Sequence, residues 1–167
     1  INALVKFPFP GTYLKRLVKR IISIDPNEKD PWEKENLVWN IIELIPELIK
    51  RKEGQVIRIW LERSQEEGEK VNLNLWNLAS NIAETFDDYI LYRPDVISQW
   101  LSKDSGEESK DLNINNNALW QKVLFKLLHE KINKDPFCIQ VEKAIKVLKH
   151  GDISKLDYPK NLYIYGL

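Results

Sequence analysis

In this chain, apolar residues recur three and four positions apart in one segment after another, and prolines and glycines punctuate the segments. Such spacing places the apolar side chains on one stripe of a helix, so the pattern dictates amphipathic helices packed on their stripes. Leu14, Leu17, Val18, Ile21 and Ile22 form one stripe; Leu37, Ile41, Leu44 and Leu48 form a second. Leu75, Leu78, Ile82, Phe86 and Tyr89 form a third, the longest. Only the ends read differently. Ala3–Phe7 is a β-compatible run and Asn161–Gly166 alternates like a strand. The expected organisation is a strand and loop at 1–10, a helical subdomain at 11–157 and a returning strand at 158–167. The fold class is mainly α, an orthogonal helical bundle flanked by a short strand at each end.

Local signals set the expected boundaries. Pro8-Phe9-Pro10-Gly11 can continue neither ladder nor helix, and Thr12 is placed to cap the first helix. Asp30-Pro31 opens a second helix, with proline in the first turn where its missing N–H costs little, and Pro46 is expected to kink or divide it. After Gly54 a short helical stretch covers Ile57–Leu61, followed by a polar connection from Glu62 to Lys70. The longest helix spans Leu73–Tyr92. Pro94 drives Arg93 out of the helical region, ends that helix and starts a short one through Trp100. Ser102–Asn117 reads as a polar loop, and helices follow at Ala118–Ile132 and Pro136–Lys149, the latter stopped by Gly151.

Composition narrows the function classes. A chain of 167 residues is long enough for one real core. Its 43% hydrophobic and 30% charged content is that of a globular protein. With 25 basic and 25 acidic residues, bulk attraction to nucleic acid is absent, although a local basic face remains possible because clustering matters as well as the sum. Cys138 is the only cysteine, so neither an internal disulfide nor a cysteine-rich zinc site can form, and a reducing cytoplasm is the expected location. No apolar run reaches the roughly 20 residues of a membrane span, so no membrane association is expected. The absence of methionine and the opening Ile1-Asn2-Ala3 read as a piece of a longer protein.

The sequence carries none of the common catalytic motifs. There is no glycine-rich phosphate loop, no H-E-x-x-H pair and no nucleophile elbow, so no catalytic residue, metal site or cofactor is expected in this segment. Pro94-Asp95 followed by Glu108-Ser109-Lys110 matches the letters of a nuclease pattern, but that chemistry needs both carboxylates on strands beside a shared magnesium ion. Asp95 is expected to begin a helix and Glu108 to sit in a loop, which makes the match a chance one. Lys15, Arg16, Lys19 and Arg20 give the first helix a basic face, readable as a phosphate contact or as an ordinary solvated face. Glu84, Asp87 and Asp88 can accept hydrogen bonds from base amino groups or pair with a nearby cation such as Arg93. Trp39, Trp60, Trp76, Trp100 and Trp120 can stack on bases, but at helical positions amid Leu and Ile they are expected in the core.

Several strings carry a family resemblance: Phe7-Pro8-Phe9-Pro10 leading into a helix, Trp39 with Leu44-Ile45-Pro46-Glu47-Leu48, and Ile82-Ala83-Glu84-Thr85-Phe86-Asp87-Asp88-Tyr89. Tyr92-Arg93-Pro94-Asp95 with Gln99-Trp100, then Leu119-Trp120 and the closing Leu162–Leu167, complete the series. In these strings the chain resembles the RecC family, the gamma subunit of exodeoxyribonuclease V (RecBCD). The resemblance implies the helical insertion, of the 1B type, in an inactive superfamily 1 helicase-like domain. It also implies partnership with single-stranded DNA and with RecB-like and RecD-like subunits in a heterotrimer, and a part in Chi recognition. Carried over residue by residue, the DNA-contacting set falls at Phe9, Lys15, Glu84, Thr85, Asp87, Asp88 and Arg93, with Arg16 and Lys19 joining from the basic face. Only Asp87 and Arg93 keep the residue type of the family pattern. The rival readings are a scaffold that only contacts partner subunits, with Arg93 tying Asp88 or Asp95 in place, and the insertion of a live helicase whose ATPase motifs lie elsewhere.

Overall fold

A computed structural model describes residues 9–66, 71–102 and 119–151. Among them are seven α-helices: α1 Pro10–Ile21, α2 Lys34–Leu48, α3 Gln55–Glu66, α4 Val71–Tyr92, α5 Pro94–Leu101, α6 Leu119–Ile132 and α7 Phe137–His150. The described residues contain no strand, and the fold is mainly α. The two expected terminal strands lie outside the described residues, as does most of the expected polar loop after Ser102. The chain packs as two compact units, one of Ile1–Lys29 with Ile139–Leu167 and the other Asp30–Cys138.

In the unit Asp30–Cys138, α4 packs on α2, α3 and α5, while α6 packs on α2 and α5. Leu37, Ile41 and Leu48 of α2 meet this core fully buried, as do Phe86 of α4, Ile97 of α5 and Leu124, Phe125 and Leu128 of α6. Ala79 and Ala83, one turn apart on α4, are also fully buried. Small side chains there let neighbouring backbones come close. The centre is aromatic: Phe125 stacks on Trp32 at 5.1 Å and meets Phe86 edge-on at 5.2 Å, and Trp100 lies 5.7 Å from Phe125. Burying each of these large rings stabilises the unit by about 1.5–3 kcal/mol relative to leaving it in water. Across the surface of the same helices, Lys131 of α6 pairs with Glu43 of α2.

Several expected boundaries are corrected. The first helix begins at Pro10, not after a Thr12 cap; Phe9 is its N-cap residue, and the Tyr13 N–H donates to the Phe9 carbonyl at 3.0 Å. Proline suits that first position because its fixed φ is helical and the N–H it lacks is unused there. Asp30-Pro31 does not open α2. It forms a turn in which Asp30 Oδ1 accepts the Trp32 N–H at 3.0 Å, and the Asp30 carbonyl accepts Glu33 N–H and Asn36 Nδ2. The helix then starts at Lys34. Pro46 does not divide it: the helix runs through Pro46 and ends two residues later, where one lost hydrogen bond in the final turn is tolerated. The connection expected from Glu62 is helical as far as Glu66.

The end of α1 is built on an unusual residue. Ser23 has φ 60°, in the left-handed region. Its N–H donates to the Arg20 carbonyl, and the Ile24 N–H donates to the Lys19 carbonyl at 2.8 Å, the paired bonds of a Schellman motif that normally ends on glycine. At the end of α7, Gly151 acts through close approach: an added Cβ would collide with the Val147 carbonyl.

The tryptophans divide. Trp100 is buried as expected, and so is Trp32. Trp39, Trp60 and Trp76 are not core residues; they are 60%, 42% and 40% exposed, and Trp39 and Trp76 meet edge to face at the surface with ring centres 5.0 Å apart. Position 39 stands two residues from both Leu37 and Ile41, which at 100° per residue turns it almost opposite the buried stripe.

Candidate nucleic-acid interface

The end of α4 and the start of α5 carry the most family-like string, and its geometry follows from one proline. Pro94 cannot donate to α4 and crowds the residue before it, so Arg93 leaves the helical region with φ −131° and ψ 54°. The Arg93 N–H still caps α4 on the Tyr89 carbonyl at 2.9 Å, and the Arg93 carbonyl accepts the first N–H groups of α5, from Val96 and Ile97. Held in this corner, the Arg93 side chain is about half exposed and points to solvent.

Its guanidinium is engaged by a near neighbour. Arg93 Nε donates to Asp95 Oδ1 at 3.3 Å and Nη2 donates to Asp95 Oδ2 at 3.2 Å, a two-pronged contact across the first turn of α5. Hydrogen bonding from Arg93 holds the Asp95 carboxyl below its ordinary range, and the same bonds push the Arg93 guanidinium up. Asp95 therefore begins a helix, as expected, and is occupied by an arginine; Glu108 to Lys110 lie outside the described residues.

The acidic stripe of α4 follows from i, i+3, i+4 spacing. Glu84 is exposed and pairs with Lys34 at 3.1 Å, Asp87 is half-buried and Asp88 is exposed. Thr85 directs its hydroxyl back to the Asn81 carbonyl at 2.9 Å. Tyr89 turns inward, its ring 5.8 Å from Trp100. Tyr92, part of the family-like string but not among the expected contact residues, is 74% exposed and immediately precedes Arg93 in the chain. The signal was present: after the inward positions Phe86, Tyr89 and Ile90, position 92 falls off the buried stripe. Glu84, Asp87, Asp88 and Arg93 thus share one unit, which also carries the exposed ring of Tyr92.

The remaining candidates belong to the other unit. Phe9 is 79% exposed at the start of α1. Lys15 is half-buried and Arg16 exposed. Lys19 departs from the solvated basic face expected of it: it is buried, and its Nζ donates to the Glu28 carbonyl at 2.6 Å. The spacing puts four cations on one helix, but the turn after α1 folds back far enough to take one of them. Among the described residues no group of three or more His, Cys, Asp and Glu comes together to hold a metal ion, and no helix is long and apolar enough to cross a membrane.

Comparison with known proteins places these residues in a family. Residues 1–167 match the family described as RecC, N-terminal domain. The RecBCD enzyme subunit RecC of Escherichia coli (strain K12) is 29% identical over 100 residues, covering 60% of this chain and 8% of that protein. RecBCD enzyme subunit RecC of Haemophilus influenzae is 26% identical over 148 residues, 81% of this chain and 13% of that protein. That of Buchnera aphidicola subsp. Acyrthosiphon pisum is 27% identical over 170 residues, 98% of this chain and 14% of that protein. The chain therefore spans at most 14% of the length of these curated relatives. No solved structure matches it. With the family match running from the first residue to the last, the chain belongs to the RecC N-terminal domain family.

Proposed function

We propose that this segment is a DNA-binding and scaffold element of an exodeoxyribonuclease V gamma subunit, acting in double-strand break repair and homologous recombination. In this reading it guides single-stranded DNA and helps recognise Chi, within a heterotrimer that includes RecB-like and RecD-like subunits in the cytoplasm. Catalysis is left to other parts of that assembly. The observation that supports it best is the exposure of two consecutive residues at the end of α4, the guanidinium of Arg93, about half exposed, and the ring of Tyr92. An exposed arginine and an exposed aromatic ring at consecutive positions suit a single strand, the cation taking phosphate and the ring taking a base face. Asp87 and Asp88 on the same helix offer acceptors for base amino groups. In the other unit, taken by itself, Phe9, Lys15 and Arg16 are proposed contacts; Lys19 drops out because its ammonium is spent on the Glu28 carbonyl.

The test is a photocrosslinker at position 92 in the full-length protein, assembled with its partner subunits and given threaded single-stranded DNA. Crosslinking to the strand, weakened by Arg93→Ala, supports the reading. Crosslinking only to protein sinks it and favours the scaffold alternative, to which the Arg93–Asp95 contact lends weight: there the guanidinium serves only to fix the corner between α4 and α5.

A further inference from the structure

The chain's zero net charge conceals a division between its two units. Ile1–Lys29 and Ile139–Leu167 together carry 11 Lys and Arg against 5 Asp and Glu, whereas Asp30–Cys138 carries 14 against 20. A polyanion approaching the second unit is repelled on average and one approaching the first is attracted. On average charge, the first unit is the more favourable place for further phosphate contacts.

Within that basic unit, α7 carries a further row of cations. Lys143, Lys146 and Lys149 follow each other at intervals of three on the exposed side of the helix. Three residues turn a helix by about 300° and advance it by about 4.5 Å, so neighbouring members stand about 60° apart in a shallow spiral along one face. Lys149, in the last turn, is favoured there by the helix dipole. Lys146 is not, and among the described residues it has no ion-pair partner. Like charges at this interval repel, and Glu142, one turn before Lys146, offsets the repulsion only in part. A linear row of cations fits a linear array of charges, and a nucleic-acid strand carries about one phosphate per 3.4 Å of axis.

We propose that the Lys146 and Lys149 face of α7 is a second, sequence-independent contact for the phosphate backbone of single-stranded nucleic acid. This rests on the proposed function above and adds a site to it. Ile145 and Leu148, which flank the row, are about half exposed and are what a protein partner would use instead, so assembly has to be measured beside binding.

The experiment is a salt titration of oligothymidylate binding by the full-length protein in its assembled complex, comparing the unsubstituted protein with Lys146→Gln/Lys149→Gln. Each phosphate contact to a single strand contributes about 0.7 to the slope of log affinity against log salt, so loss of two contacts lowers the slope by about 1.4. Lys126→Gln, on α6 of the acidic unit, is the control and leaves the slope unchanged. An unchanged slope in the double variant overturns this inference while leaving the Tyr92 crosslink, and so the proposed function, standing. A double variant that fails to assemble into the complex also overturns it, in favour of a protein contact. If the unsubstituted complex fails to bind the oligonucleotide, both readings fall.

Discussion

Arg93 and Asp95 form a two-pronged contact across the first turn of α5, Nε to Oδ1 and Nη2 to Oδ2, with both side chains more than half exposed. Because Arg93 holds the Asp95 carboxyl below its ordinary value of 3.8, the ion pair is complete at neutral pH. It persists as pH falls through that value and is lost only on passing the lower folded-state value. An exposed pair of this kind contributes little to stability. Asp95→Asn should therefore leave the melting temperature unchanged while releasing the guanidinium, and affinity for single-stranded DNA should rise. Carboxyl chemical shifts across an acid titration check the first statement and a binding isotherm checks the second; weaker binding by Asp95→Asn would show that the paired geometry is the one used.

A second prediction concerns Lys19, which holds the α1 terminus from two directions. Its carbonyl accepts the Ile24 N–H and its ammonium donates to the Glu28 carbonyl at 2.6 Å. Lys19→Met keeps the buried stem and removes the donor, which should cost about 1 kcal/mol, the lower end for a hydrogen bond whose acceptor can rehydrate. Ser23→Gly should act in the opposite sense. Ser23 sits at φ 60°, where a Cβ is strained by about 1–2 kcal/mol, and the extra unfolded-chain entropy of glycine, about 0.4–1 kcal/mol, offsets only part of the relief. Urea unfolding midpoints should fall for the first variant and rise for the second.

The buried stripe of α2 was fully legible: Leu37, Ile41, Leu44 and Leu48 are all buried, because a 3.6-residue period leaves a helix one face to hide. The start of α2 was not. Asp-Pro serves equally as a helix opening or as the first half of a turn, and what decides is Trp32, whose Nε1 donates to the Lys134 carbonyl at 2.8 Å, 102 positions away. No local signal encodes such a bond. The departure of Arg93 from the helix could be read from Pro94 alone, since a residue before proline avoids the helical region. The burial of Lys19 could not, because its acceptor is a backbone carbonyl on a turn whose path depends on the left-handed Ser23.

A third prediction follows from the tight connection between α2 and α3. Gly54 is buried, and a Cβ added there would fall on the Leu48 carbonyl and against the Ile49 Cα at 3.0 Å. All three opposing atoms are backbone, so none can rotate away as a side chain would. Gly54→Ala should destabilise the unit by about 1–3 kcal/mol, the range for forcing extra volume into packed surroundings. If thermal unfolding shows no loss, the α2–α3 connection opens more readily than its packing implies.

The aromatic centre yields the fourth prediction. Trp32 carries two separable loads: its ring stacks on Phe125 at 5.1 Å, and its indole N–H satisfies the Lys134 carbonyl at the α6–α7 connection. Trp32→Phe keeps most of the ring contact and orphans a partly buried carbonyl, for an expected loss of about 1–2 kcal/mol. Trp32→Ala removes the ring as well and should cost about 3–5 kcal/mol, as truncation of a large buried aromatic does. The two variants also differ in where they act. Trp32→Phe should raise hydrogen exchange chiefly around Lys134 and the start of α7, whereas Trp32→Ala should raise it throughout α4, α5 and α6, whose rings Phe86, Trp100 and Phe125 close on one another. Equal losses for the two substitutions would mean that the single hydrogen bond, and not the stacked ring, holds the turn before α2 in place.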